Sequence, residues 1–226
     1  MLNKKEILEI IYAEKNYCRL KNLLKDYNDV FSLNILGKVS LFECDLKTAY
    51  YYFDLAKNLL GCGYCRFLEG DIVQAEIIMT MLKNSSPFAD WILFLINFVQ
   101  GYNSIIPTYF QIKNFYEQDL DMLFVFKQQK MIDKIIKKNN ILEKYNREIY
   151  KMTARVLINN NQYEEALKYL KKSVDICYKD PETHFLLGEI YVLSGQEENA
   201  IKEFQKSIEV TGGYLPAETK LKKLSK

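Results

Sequence analysis

The 226-residue chain has one histidine, four arginines, four prolines and nine glycines. A single histidine, His184, leaves no material for a histidine-based metal cluster or catalytic triad. Scarce arginine (Arg19, Arg66, Arg147 and Arg155) argues against a phosphate reader, and a net charge of +2 makes no general case for nucleic acid or an anionic membrane. Five cysteines, an odd number, do not build a disulfide scaffold. The most apolar stretch, Trp91 to Val99, falls well short of the roughly 20 residues a membrane span needs, and Asp90, Asn97, Gln100 and Asn103 interrupt it. Met1-Leu-Asn-Lys-Lys-Glu lacks the apolar core of a signal peptide. The expectation is a soluble, reduced, cytoplasmic protein without a membrane span.

What is present is helical periodicity. Apolar residues recur three and four apart, and no strand-like alternation with Asn-Gly turns appears. Pro87, Pro107, Pro181 and Pro216 each fit the first turn of a helix, where a missing N–H costs nothing. Asp71 followed by Gln74 reads as a capping box that opens a helix.

The helices repeat. Ala166 to Ala200, Leu170 to Phe204, Ser173 to Ser207, Leu157 to Tyr191 and Ala154 to Gly188 are each 34 residues apart. Within units a small residue precedes an alanine by 12, in Gly37/Ala49, Gly63/Ala75, Ala154/Ala166 and Gly188/Ala200. Small residues at such positions let two antiparallel helices approach closely while large apolar neighbours fill the flanks.

The run His184-x-x-Leu187-Gly188-x-x-Tyr191, followed by Ala200-x-x-x-Phe204, resembles the tetratricopeptide repeat, with histidine in the tryptophan slot and Gly212 in place of proline. Residues 147–180 match more loosely, with Thr153-Ala154 for Leu-Gly and Leu170 for Phe, and residues 30–58 match at Leu36, Gly37, Ala49, Phe53 and Ala56. The resemblance implies an all-α fold: a helix–turn–helix repeat solenoid, a right-handed superhelix that is irregular in its middle. The expected organisation is one α-solenoid over 1–226. It has degenerate units at 1–83, an irregular middle at 84–146, two repeats at 147–214 and a capping helix at 215–226, with Leu221 and Leu224 inward and Lys220, Lys222, Lys223 and Lys226 outward. The spacing of only 26 from Ala49 to Ala75 predicts shortened helices there.

Candidate chemistry is sparse. Cys62-Gly-Tyr-Cys65 has no second ligand pair for zinc and no βαβ setting for redox work, so it reads as structural. His184 falls on a buried repeat position. Lys127 to Lys138 reads as a solvated helix face. The resemblance instead implies a concave groove lined by first-helix side chains: Lys151, Arg155, Phe185, Glu189 and Val192, with Asn34, Lys38 and Leu41 in the early unit. Glu189 stands where the family's chaperone-binding clamp has asparagine, so that function is not carried over. The reading is therefore a protein-interaction module without catalysis, cofactor or metal, whose groove takes a peptide or partner helix of unnamed identity. The alternatives are a nucleic-acid-binding helical array, which the composition disfavours, and a secretion-type chaperone. Homodimerisation through Trp91 to Phe126 is a further expectation, because apolar residues there exceed what one hairpin face hides.

Overall fold

A computed structural model describes residues 4–14, 16–102 and 106–224. The side chain of Leu8, together with Lys15, Asn103 and Lys226, lies outside what is described. Every regular element among the described residues is a helix. The chain divides into two compact units, Met1–Ile106 with Val125–Gln128, and Pro107–Phe124 with Gln129–Lys226.

The first unit begins with α1 (Lys4–Glu9), which runs into a π-helical turn at Ile10–Glu14, and α2 (Tyr17–Leu24). Ile7, Ile10, Leu20 and Leu24 bury their side chains against Ile35, Leu36 and Val39 of α3 (Val30–Phe42). Two hairpins follow, α3 with α4 (Leu46–Leu55) and α5 (Leu59–Glu69) with α6 (Ile72–Met81), and then α7 (Pro87–Gln100). Short acidic or amide residues set the starts: Asp29, Asp45, Asn58 and Asp71 each accept a hydrogen bond from a backbone N–H of the first turn. Asp71 thereby caps α6 as the sequence predicts.

Phe53 shows why small residues are needed. A Cβ added to Gly37 of α3 would lie 2.6 Å from the Phe53 ring, and one added to Gly61 of α5 would lie 2.4 Å from it. The ring is wedged between two glycine backbones, which draws three successive helices together. α4 and α6 span 10 residues each, against 14 and 15 for their counterparts in the second unit, so the predicted shortening is real. On α7, Trp91 to Ile96, Phe98 and Val99 are all buried.

The second unit contains α8 (Tyr109–Val125), α9 (Gln129–Lys137), the one-turn α10 (Asn139–Leu142), α11 (Ile149–Asn159), α12 (Tyr163–Ile176), α13 (Pro181–Leu193), α14 (Glu197–Thr211) and α15 (Leu215–Leu224). α11 pairs with α12, α13 with α14, and α15 packs on α14. Gly188 lies under the Phe204 ring as Gly37 lies under Phe53. Where Ala154 replaces glycine, the partner 16 residues on is Leu170 instead of phenylalanine.

Two boundaries differ from the sequence reading. Pro107 precedes α8, whose start is set by Thr108: its hydroxyl accepts from the Gln111 N–H at 3.2 Å, and its own N–H donates to the Gln111 side-chain carbonyl oxygen at 2.9 Å. Within the stretch expected to be irregular, α8 runs unbroken to Val125, and the turn comes at Lys127, with φ +57°. That left-handed residue lies 34 before Asn161 (φ +59°) and 68 before Gly195 (φ +69°), the turn residues of the next two hairpins. Leu120, Ile132, Ile136 and Asn139 are buried, as are the residues 34 further along: Ala154, Ala166, Leu170 and Ser173. α8 and α9 thus keep the register of a repeat while carrying large side chains in its small slots, and their backbones do not close together as in the other hairpins.

Candidate functional site

The 34-residue register brings homologous positions of α8, α11 and α13 into columns. One column is Glu117, Lys151 and Phe185; the next is Asp121, Arg155 and Glu189; a third is Phe124, Ile158 and Val192. All of these positions except Lys151 are half-buried.

Ion pairs cross from helix to helix. Arg155 of α11 reaches back to Glu117 of α8 at 2.8 Å and forward to Glu182 of α13 at 2.5 Å. Lys151 is only 4% exposed, its ammonium 2.8 Å from Asp180, 3.3 Å from Glu148 and 3.4 Å from Glu182. Burial opposes the charge on Lys151, but the hydrogen bond to Asp180 and the surrounding carboxylates outweigh it and raise its pKa. Burial likewise pushes on Asp180, and the bonds from Lys151 and Thr183 prevail, holding its carboxyl below the usual range. Glu117 goes the other way. Its burial outweighs the attraction of Arg155, with Glu182 and Asp121 adding repulsion, and its pKa rises. Asp121 is also raised by burial and accepts from the Asn160 amide at 2.9 Å.

At the end of this face the pairing inverts in sign. Glu189, 34 residues after Arg155, takes Lys220 of α15 at 2.8 Å. The Phe185 ring stacks at an angle on Phe204 (5.7 Å between centroids) and meets the Tyr214 ring edge-on at 5.8 Å. Phe185 and Val192 pack with Leu221 and Leu224 against the buried trio Ala200, Phe204 and Ala217. Two of the predicted groove residues, Phe185 and Glu189, are therefore in contact with the chain's own last helix or its approach.

The early candidates have different surroundings. Lys38 is exposed and Leu41 buried, while half-buried Asn34 accepts from the Asn58 amide at 2.5 Å and donates to the Val30 carbonyl at 2.7 Å. Lys130, Lys134 and Lys137 are exposed on α9, whose other face buries Met131, Ile132, Ile135 and Ile136. Cys62 and Cys65 are buried, and burial pushes the Cys65 thiol up to about 12, far from a reactive thiolate. No group of three or more His, Cys, Asp or Glu among the described residues is placed to hold a metal ion.

His184 is 1% exposed; its Nδ1 lies 2.7 Å from Glu203, which also binds Lys206 at 2.7 Å, and its Nε2 lies 2.9 Å from the Tyr178 carbonyl oxygen. The Glu203 hydrogen bond raises the imidazole pKa against the opposing effect of burial.

Sequence reasoning missed one buried polar cluster. The Tyr116 hydroxyl lies 2.9 Å from Asn139 Oδ1 and 2.8 Å from Thr153 Oγ1, and the Asn139 amide donates to Thr153 at 2.6 Å. All three residues are at most 1% exposed. The available signal was Thr153 in the slot that Leu187 fills in the best-matched repeat.

Comparison with known proteins follows this geometry. Residues 148–180 and 181–212 each match the tetratricopeptide repeat profile. No curated protein is a significant match. Among solved structures, the chain resembles one from the APC/C hetero-tetramer Cut9–Hcn1, with 15% identity and a TM-score of 0.41, covering 94% of this chain and 46% of that one. It thus spans under half the length of that relative. It also resembles YrrB, described as a TPR protein with an unusual peptide-binding site (11% identity, TM-score 0.38, 91% and 97% covered), and TTC0263, a thermophilic TPR protein in Thermus thermophilus (15%, 0.35, 87% and 98%). All three TM-scores lie below 0.5, so these likenesses settle neither shape nor partner. No helix among the described residues is long and apolar enough to cross a membrane.

Proposed function

We propose that the chain, whose residues 148–180 and 181–212 each match the tetratricopeptide repeat, is a non-catalytic scaffold that holds a peptide or partner helix on the first-helix face of its second unit. The observation that carries this reading is the set of columns on α8, α11 and α13, which present half-buried charged and apolar side chains at 34-residue intervals. Helices locked by Arg155 and its carboxylates present those side chains already ordered, which lowers the entropy lost on binding. His184 is bonded through both ring nitrogens, and the Cys62 and Cys65 thiols are buried.

In this proposal Arg155, Phe185, Glu189 and Val192 touch the partner. Lys151 acts from beneath, fixing Asp180 and Glu182. Asn34, Lys38 and Leu41 belong to the first unit, and of these Lys38 is the exposed one. A cytoplasmic setting is part of the same proposal.

The test is crosslinking capture from native cells with the unaltered chain, Arg155→Gln and Phe185→Ala, each first shown to be folded by circular dichroism. Loss of the captured protein by at least about tenfold in either variant is the expected result for a central contact. Undiminished capture by both folded variants would sink the proposal.

A further inference from the structure

The face proposed to bind a partner is partly filled by the chain itself. α15 lays Leu221 and Leu224 into the cluster that includes Phe185 and Val192, and its Lys220 pairs with Glu189. Tyr214, on the approach to α15, covers the Phe185 ring. The contact has the chemistry of a bound ligand: an apolar stripe on a short amphipathic helix, with one cation placed against one anion on the receiving helix.

α15 is also lightly held. It has 10 residues, and Ala217 is its one fully buried residue. Leu221 and Leu224 are half-buried, and Leu215 is 74% exposed. Lys220 keeps 40% of its side-chain surface in solvent and Glu189 keeps 29%, so their pair is screened and weak. Helices this short are marginal in isolation and depend on their packing face. The interior helices of the repeats differ: α13 buries Thr183, His184, Leu187, Gly188 and Ile190.

We propose that α15 is an internal occupant of the α13 face, and that the chain takes a partner helix there by displacing it. The partner is defined by what α15 offers. It is a short amphipathic helix with a small residue, lysine three positions later and leucines four and seven positions later, as in Ala217, Lys220, Leu221 and Leu224. The lysine answers Glu189; the leucines answer the cluster around Ala200 and Phe204, which Phe185 and Val192 also join. This rests on the reading of the first-helix face as the binding surface and adds what binds and what must leave. An occupied face lowers the apparent affinity for any partner by the fraction of time α15 is off.

The test uses the full chain and a fluorescent peptide of residues 214–224. Three chains are titrated: unaltered, Lys220→Glu, and Lys220→Glu combined with Glu189→Lys. Like charges in the single variant loosen α15 and leave Glu189 for the peptide's lysine, so its affinity should rise roughly two- to fivefold over the unaltered chain. The double variant restores the pair with its signs exchanged and repels the peptide's lysine, so affinity should return to the low value. Equal affinity in all three chains would overturn the proposal.

A second measurement needs no variant. Hydrogen exchange on the unaltered chain with excess isotopically heavy peptide should show residues 215–224 losing protection while 181–193 keep theirs. Retained protection of α15 beside bound peptide would also overturn it, as would refusal of the peptide together with a concentration-dependent dimer, which would mark exchange of α15 between two copies. A chain that binds the peptide but captures no cellular protein would count against the proposed function alone.

Discussion

Consider Gly188→Ala. A Cβ at this position would lie 2.4, 2.6 and 2.9 Å from three carbons of the Phe204 ring, where about 3.5 Å is the comfortable limit. Phe204 is fully buried and cannot swing into solvent, so α13 and α14 must part by roughly 1 Å. Overpacking of this kind costs about 1–3 kcal/mol. Alanine's better helix propensity returns about 1 kcal/mol. The net loss is roughly 0–2 kcal/mol, too broad a range to be decisive alone. The neighbouring repeat supplies the control, because it pairs Ala154 with Leu170 at the same positions. In a Phe204→Leu background the clash is gone, and Gly188→Ala should stabilise by about 1 kcal/mol. The two substitutions should therefore couple by about 1–3 kcal/mol, read from urea unfolding of the four chains by far-UV circular dichroism. If Gly188→Ala stabilises equally with phenylalanine or leucine at 204, the wedged-ring explanation of the repeat is wrong.

Other consequences can be measured separately. His184 should titrate above its ordinary value of 6.5, and as the sole histidine it gives a single imidazole signal in an NMR pH series. Its raised pKa makes its contribution to stability complete below 6.5 and lost as pH rises through the higher native value; His184→Gln should flatten that dependence, and a native pKa at or below 6.5 would refute the Glu203 pairing. Glu203 has the opposite sign, being held below 4.5, so its contribution is present above 4.5 and disappears on acidification. Cys44 has φ +63° seven residues after Gly37, as Gly70 follows Gly63 and Gly195 follows Gly188. Cys44→Gly should stabilise by roughly 0.5–1 kcal/mol, and a lowered melting temperature would contradict the left-handed turn. Tyr116→Phe leaves Asn139 short of a buried partner and should cost about 1–3 kcal/mol; unchanged unfolding would show that the cluster does not contribute.

The helical class and the best-matched repeats were legible because alanine and glycine at helix crossings are a conspicuous signal. Gly37, Gly188, Ala166 and Ala200 announce close approach to anyone counting residues. α8 and α9 were not legible, since Leu120 and Ile132 occupy the small slots and Lys127 occupies a turn position held by asparagine and glycine in the next two hairpins. Burial at 34-residue intervals survived there, but a large apolar residue alone does not reveal which helix it faces. The columns on α8, α11 and α13 were half legible. The resemblance implied Lys151, Arg155, Phe185 and Glu189, whereas the charged partners of Arg155 and Glu189 lie 27 to 38 residues away and look like solvated charges in sequence. Only folded, with Lys151 under Asp180 and Lys220 against Glu189, does the face show how much of its charge is already spent.

Arg155 stands between Glu117 and Glu182, one carboxylate from the helix before and one from the helix after. Remove the 34 residues of 147–180, keeping the register, and Glu189 takes the place of Arg155, so Glu117 meets a carboxylate where it had a cation. The hairpins are alike in shape but not exchangeable in place. Their order along the chain is written in the sign of the charge each one needs beside it, so a copy that docked one position early would meet repulsion where its proper neighbour offers a bond.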